Sequence, residues 1–341
     1  MCAVLAVVLT VIAIPPLVAR AAGGEPPHPY PSLAALAPLA TLVAFAGVVV
    51  AAAASWWLAL LLSIPALILL AWQLPPTRRR TDGESAPIHE QLPDPAAGAL
   101  TLRVLSLNVL GGAADPAAVV RAVERHQVDV LVVQELTPGM VHRLADADVG
   151  ILLPYCHLDP RPRGDGTGLW ARWPLTPLPP VAGMALAAPR ARIQPVDGWP
   201  VTVTGVHTKA PVRRNVRRWQ QELAAIRSTL VNSDGQQVVA GDFNASRDHR
   251  PFRDLLAAGF LDCADAARRR PWPGFTWSAG RWIPSVMRLD HVLVSQGSAT
   301  VSASQVIRVP RTDHRGVLAV IQLTFRPPSA TAPPARPSPP G

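Results

Sequence analysis

Residues 237–244 read QVVAGDFN, and the reading of this stretch decides the rest of the chain. A short apolar run ends in Gly-Asp-Phe-Asn. Val, Leu and Ile bounded by turn residues mark a buried strand, and this one delivers Asp242 and Asn244 to its C-terminal end. The same design recurs on both sides of it. Strand 102–107 runs into Asn108, 128–133 into Gln134-Glu135, and 201–206 into His207. Two further strands begin with polar residues: Asp290-His291 before 292–294, and Asp313-His314 before 316–325. If these two run antiparallel to the others, their starts lie on the same sheet edge as the others' ends.

The expected rim gathers Asn108, Glu135, His207, Asp242, Asn244, Asp290, Asp313 and His314. Crowded carboxylates repel one another unless a cation sits among them. An oxygen-rich set of this kind suits Mg²⁺ or Mn²⁺, which keep several waters and bind phosphate oxygens beside one or two carboxylates. Zinc is disfavoured, because the chain has no cysteine cluster and no closely spaced pair of ligating histidines. Each residue alone also has an ordinary structural reading. Asn108 suits a turn before Gly111-Gly112, Asp242 and Asn244 suit an Asx turn, and a lone His207 suits a core. Their joint occurrence at strand termini favours a site.

Around this pattern, residues 115–126 read as a helix, with Asp115 as its cap and Pro116 in the first turn. A second helix is expected over 214–230. Strands interleaved with helices predict an α+β sandwich with mixed sheets. The domain spans 100–326. A linker over 78–99 precedes it and a Pro-rich tail over 327–341 comes after it. The net charge of +9 falls within 100–326, because the few charges of the preceding segment, linker and tail cancel. Such a domain favours anionic partners. Lys209, Arg213, Arg214 and Arg217 cluster after the His207 strand and read either as an anion-binding rim or as a solvated helix face. Trp272, Trp277 and Trp282 read either as core or as a substrate mouth. With three cysteines, a disulfide scaffold is excluded; whether Cys156 and Cys263 pair is left open by the sequence.

Residues 1–77 hold only Arg20 and Glu25 as charged side chains and read as a transmembrane region of two to three helices. The run 33–74 is long enough for two spans with a turn near Ser55-Trp56-Trp57, and 3–19 reads as a further span ending near Pro15-Pro16. The alternative is a buried helical hairpin. Arg78, Arg79 and Arg80 after the last expected span favour a cytoplasmic catalytic domain.

The segments LSLNV (105–109), DVLVVQEL (129–136), GTGLWARWPL (166–175), VTGVHTKAP (203–211), VVAGDFNAS (238–246), RLDHVLVS (288–295) and TDHRGVLAVI (312–321) together resemble the endonuclease/exonuclease/phosphatase superfamily of DNase I-like fold. The resemblance implies a four-layer α/β/β/α sandwich of two packed sheets and a Mg²⁺-dependent hydrolase. It implies Glu135 as the principal metal ligand, with Asn108 beside it and Asp313 near the metal. Asp242 would orient or deprotonate the attacking water, and Asn244 would hold a phosphate oxygen. His314 would contact the scissile phosphate with Asp290 as its partner, and His207 matches the second histidine of the DNase I-like branch. The apurinic-endonuclease branch is disfavoured, because the chain's tyrosines, Tyr30 and Tyr155, are not placed for it.

The layout also resembles a membrane-anchored bacterial branch linked with lipid pyrophosphates of the cell envelope, whose catalytic domain faces outward. Two substrates are therefore expected alternatives, a lipid pyrophosphate and a nucleic acid. A non-catalytic membrane sensor is a third reading, disfavoured because every expected site position is filled. The bilayer is the one further partner implied, with no protein partner.

Overall fold

The computed structural model describes residues 2–21, 30–57, 59, 61, 63, 99–195, 200–267, 274–279, 285–297 and 299–324. The expected linker, the tail, Arg78 to Arg80, Trp272, Trp282 and most of the chain from 58 to 98 lie outside them.

Twelve strands form two six-stranded sheets among the described residues. The first has the order β11 (Ala299–Ile307), β12 (Gly316–Thr324), β1 (Ala99–Asn108), β2 (Val130–Gln134), β4 (Thr167–Ala171), β3 (Tyr155–Asp159). The second has the order β5 (Leu175–Leu178), β6 (Arg190–Ile193), β7 (Val201–His207), β8 (Gln236–Asp242), β10 (Asp290–Ser295), β9 (Phe260–Asp262). Each sheet is built around one parallel pair, β1 with β2 and β7 with β8, and every other pairing is antiparallel.

Side chains alternate across each strand, and this sorts them into three buried layers. Val104, Val132, Val203, Ala240 and Val292 fill the space between the sheets. Their neighbours Leu105, Leu131 and Val133 point the other way, onto helices α4 (Pro116–Arg125), α5 (Pro138–Asp146) and α6 (Val149–Leu152). On the far side Val206, Val239 and Leu293 meet α7 (Val216–Val231) and α8 (Arg250–Ala257) through Trp219, Leu223 and Phe252. The result is the expected four-layer sandwich. Asp115 caps α4 by accepting from the Ala117 and Ala118 amides, as its sequence indicates. Cys156 is exposed on β3 and Cys263 is buried in α9 (Cys263–Ala266), and both are free thiols.

The parallel pairs explain the site's location. A parallel pair needs a crossover, and α4 and α7 supply one each. Both strands of such a pair then end at the same edge. The antiparallel neighbours β10 and β12 start at that edge, with Asp290 opposite Asp242 and Ser106 opposite Val317.

The N-terminal segment folds as α1 (Cys2–Ala21), α2 (Tyr30–Ala34) and α3 (Ala37–Ala54). Among the described residues α1 is the one helix long and apolar enough to cross a membrane, as a span or a signal sequence would be. It continues through Pro15 and Pro16 rather than stopping there. Helix α1 packs on α3 with Ala13 and Leu17 against Ala37, Ala40 and Ala44, and a side chain at Gly47 would press on Thr10 and the Ala6 carbonyl. Close approach through small residues is how helices associate in lipid. Val4, Val11, Ile12, Leu42 and Val49 remain exposed on the outer faces. The helix break falls at Ser55, next to the stacked pair Trp56 and Trp57, at the position expected for a turn. The second span expected within 33–74 has most of its length outside the described residues.

Two glycines separate a packing requirement from an ordinary helix position. A Cβ at Gly241 would run into the Val206 carbonyl, between β7 and β8 and next to Asp242. Gly241→Ala is expected to lower stability by about 1–3 kcal/mol, the cost of overpacking. Gly139, in the first turn of α5, has open space around its Cβ position. Gly139→Ala is expected to add up to about 1 kcal/mol. Urea unfolding in detergent micelles checks both, and equal effects at the two positions would contradict this packing.

Candidate active site

Four strand ends and two strand starts meet at one edge of the sandwich. The resulting cavity, about 480 Å³, is lined by Glu135, His207, Asp242, Asn244, Asp313 and His314 among others. Asn108, from the first sheet, donates through Nδ2 to Glu135 Oε1 at 3.1 Å and to Asp242 Oδ2 at 3.2 Å. Its Oδ1 accepts from the Leu110 amide, which fixes the loop after β1. Glu135 leaves β2 with φ of 57° and takes the Gly111 amide on Oε2 at 2.5 Å. Asn244 also sits in the left-handed region, with φ of 45°, pinned by its amide to Asp242 Oδ1 at 2.8 Å and by Nδ2 to the Thr208 carbonyl. Left-handed non-glycine residues are costly and gather at functional sites.

His314 Nδ1 pairs with Asp290 Oδ2 at 2.8 Å, and its Nε2 lies 3.8 Å from Asp242 Oδ2. Burial opposes a charge on this imidazole, but the Asp290 and Asp242 carboxylates outweigh it and raise His314 to about 10. Burial and the neighbouring Asp290 push Asp242 up, while His314 and the Asn244 amide act against this. His207 Nε2 is 4.0 Å from Asp242 Oδ2. Burial, reinforced by the His314 charge, lowers His207 to about 4, so its imidazole is neutral.

The donor set fits a hard divalent cation. Glu135 opens onto the cavity, and Asp313 Oδ1 and Asp290 Oδ1 are buried without a hydrogen-bond partner. Asp242, Asp290 and His314 also offer atoms all within 4.8 Å of one another. A protonated His314 has no lone pair for a metal, so this triad reads as an ion-paired group. By donor type, the oxygens of Glu135, Asn108 and Asp313 are the ones that could hold such a cation.

The basic cluster divides. Lys209 lines the cavity and pairs with Asp165 at 3.1 Å. Arg214 and Arg217 are exposed, and neither is among the lining residues; Arg213 lies in the 3-10 turn Arg213–Asn215 before α7. Exposed Arg214 and Arg217 are placed as a solvated face would be. Arg163 lines the cavity, although a lone arginine in a Gly-rich loop gave no sequence signal. Trp277 lines it too and donates to Asp313 Oδ2 at 3.2 Å, whereas Trp219 is core and donates to the Phe243 carbonyl. Buried Glu222 on α7 accepts from the Lys209 and Ala185 amides, holding the cavity wall from behind.

A second charged network supports the GDFN loop from below. His291 Nε2 donates to the Ala245 carbonyl, and its Nδ1 pairs with Asp262 Oδ2 at 2.9 Å. Arg288 bridges Asp262 and Asp265, and Arg247 also holds Asp265.

A family model described as the Endonuclease/Exonuclease/phosphatase family matches residues 105–314. No curated protein matches the chain. Solved structures share the fold. An endonuclease/exonuclease/phosphatase from Beutenbergia cavernae is 20% identical, with a TM-score of 0.53, covering 66% of this chain and 72% of that one. D. rerio TDP2, solved with a single-strand DNA product, is 18% identical, with a TM-score of 0.52, covering 65% and 98%. A family protein from Bacteroides thetaiotaomicron is 14% identical, with a TM-score of 0.54, covering 67% and 99%.

The network beneath the loop gives a pH-dependent prediction. Burial would raise Asp262, but Arg288 and His291 outweigh it and hold the carboxyl well below the usual range. A depressed native pKa contributes stability that is complete above the unfolded value and is lost as pH falls through the native one. Asp262→Asn, which leaves Arg288 buried without one partner, should cost about 3–5 kcal/mol at neutral pH. The gap to wild type should shrink once pH drops below about 4. Denaturant unfolding of both proteins across pH checks this, and a gap that widens in acid would refute it.

Proposed function

This chain belongs to the endonuclease/exonuclease/phosphatase family, whose members are metal-dependent phosphoester hydrolases, and from that premise we propose that it cleaves a lipid-linked pyrophosphate at a bilayer surface. The observation that carries the hydrolytic part is the convergence of Asn108, Glu135, His207, Asp242, Asn244 and His314 on one cavity edge, with His314 held between two carboxylates.

The side chains define the chemistry. Asn108, Glu135 and Asp313 would hold the cation, Mg²⁺ or Mn²⁺, which when bound neutralises charge on the phosphoryl oxygens. Asp242 is the carboxylate that orients the attacking water and takes its proton. His314, kept protonated by Asp290, gives a charge-assisted hydrogen bond to the scissile group, where charge develops in the transition state. Neutral His207 and the Asn244 amide hold the remaining oxygens. Lys209 and Arg163 stand at the mouth as the cations that meet an incoming phosphate.

The lipid reading is supported by the apolar helix α1 and by N-terminal residues in the cavity wall. It carries with it a multi-pass anchor, the bilayer as partner and an extracytoplasmic catalytic domain. A reporter fused at Gly341 reads that sidedness. The second reading, a membrane-tethered nuclease, is favoured by the basic charge of the domain and by the DNA product bound to D. rerio TDP2.

Phosphate release from a polyprenyl diphosphate, with no cutting of plasmid or oligonucleotide, is the expected outcome. Cutting without phosphate release selects the nuclease. Chelation with EDTA should abolish turnover. Asp242→Asn and His314→Ala should each lower kcat about 10²–10⁴-fold. Wild-type behaviour of both would favour a non-catalytic sensor. Because Asp242 must be ionised while His314 is protonated, kcat should be bell-shaped in pH. A flat profile from about pH 5 to about 9 with chemistry rate-limiting would remove these roles.

A further inference from the structure

The N-terminal segment does more than lie near the catalytic domain. Pro31, Ser32 and Ala35 line the same cavity as Asp242 and His314. Leu186, Val212 and Met287 line it as well. The lining is therefore of two chemical kinds: acid, amide and histidine groups, and apolar side chains, to which α2 contributes Pro31 and, just after it, Ala35.

Two contacts fasten that segment to the catalytic loop. Arg20, in the last turn of α1, pairs through Nε with Asp248 Oδ1 at 2.5 Å, with both side chains mostly buried. His249 Nε2 meets the Pro31 carbonyl at 2.7 Å. The tautomer is fixed by the partners. The Ser246 amide donates to Nδ1, so the proton is on Nε2 and donates to Pro31. Burial lowers the His249 pKa and keeps the ring neutral, and the ring sits edge-on to Trp219 at 5.1 Å. Asp248 and His249 lie a few residues beyond Asp242 and Asn244, on the same loop. The loop that carries the catalytic carboxylate is thus the loop that grips the N-terminal segment.

We propose that Pro31, Ser32 and Ala35 are specificity-determining residues that receive an apolar chain on the substrate, with Arg20, Asp248 and His249 as positioning residues that hold this wall against the catalytic loop. The inference rests on the phosphohydrolase reading of the site and adds the part of the protein that selects the substrate. The phosphate lies at the polar edge. The chain attached to it runs along the α2 wall toward helices whose outer faces are apolar. A nucleotide chain has no use for such a wall, because its continuation is charged at every residue.

The test uses the full chain in lipid nanodiscs with Mg²⁺ and two soluble probes, isopentenyl diphosphate and farnesyl diphosphate. Tryptophan fluorescence gives Kd, with Trp277 in the cavity wall as reporter, and phosphate release gives kcat and KM. Wild type should bind the farnesyl compound at least about tenfold more tightly, since added buried methylenes strengthen binding. Ser32→Gln places a larger polar group on the wall and should reduce that ratio about fivefold or more. His249→Ala should do the same by releasing Pro31, and His249→Gln, which restores a donor, should recover part of it. The lipid disc is common to all variants, so changes in ratio report the wall and not partitioning of the probe. A ratio close to one in wild type, or one unchanged in folded Ser32→Gln and His249→Ala, overturns the inference. The chain-length ratio in Kd without any phosphate release would instead uphold the wall and overturn the phosphohydrolase reading.

Discussion

The catalytic edge depends on one enforced contact, the cross-strand pairing of Asp242 with Asp290. Antiparallel β8 and β10 are in a register that sets these two carboxylates opposite each other, both buried. Like charges in that position are destabilising. The relief comes from the other sheet. His314, two residues before β12, reaches across the sandwich to Asp290 at 2.8 Å and approaches Asp242 at 3.8 Å. Asn108, also from the first sheet, donates to Asp242. The site is therefore the seam between two sheets, and its charges help close that seam. The same arrangement keeps one imidazole charged, leaves the other neutral, and points an ionisable carboxylate at the cavity.

The GDFN loop joins three parts of the molecule. Its carboxylate faces the cavity, the His291–Asp262–Arg288 network supports it from below, and its far end grips the N-terminal segment through Asp248 and His249. A loop held on three sides can keep Asn244 in a left-handed conformation without relaxing. Packing and chemistry thus share residues here. The cavity wall contributed by Pro31, Ser32 and Ala35 results from the same fixation.

Much of the fold was legible because the central strands are fully buried. Residues 130–133 (VLVV) form an unbroken apolar run because the strand lies between a helix layer and the opposite sheet, whereas 201–207 (VTVTGVH) are equally buried but alternate Val with Thr before Gly205. Strands at and near the sheet edges gave weaker signals. Residues 155–159 (YCHLD), at one edge, and 190–193 (RARI), next to the edge strand β5, are strands by their pairing and carry polar side chains. The arginines after His207 had two readings of equal standing in the sequence. Position separates them: Arg214, in the turn before α7, and Arg217, in its first turn, are exposed, while Lys209 stays in the cavity wall.

Local sequence signals, apolar runs bounded by turn residues, were enough to establish which residues stand at strand ends. They thereby established the chemical type of the site, an oxygen-rich, histidine-containing edge suited to phosphate. The family resemblance named Asp290 as the partner of His314, but apolar runs and turn residues could not, because β10 and β12 belong to different sheets and the contact is made only when the sheets pack. The folded arrangement alone also brought Arg163 and the Pro31–Ala35 segment to the same cavity and set Glu222 behind its wall. Arg163 and the Pro31–Ala35 segment sit in a tight turn and a short helix with no periodic signature, Glu222 is a lone acid on the buried face of α7, and their roles come from contacts such as the one that spans 218 positions from Pro31 to His249.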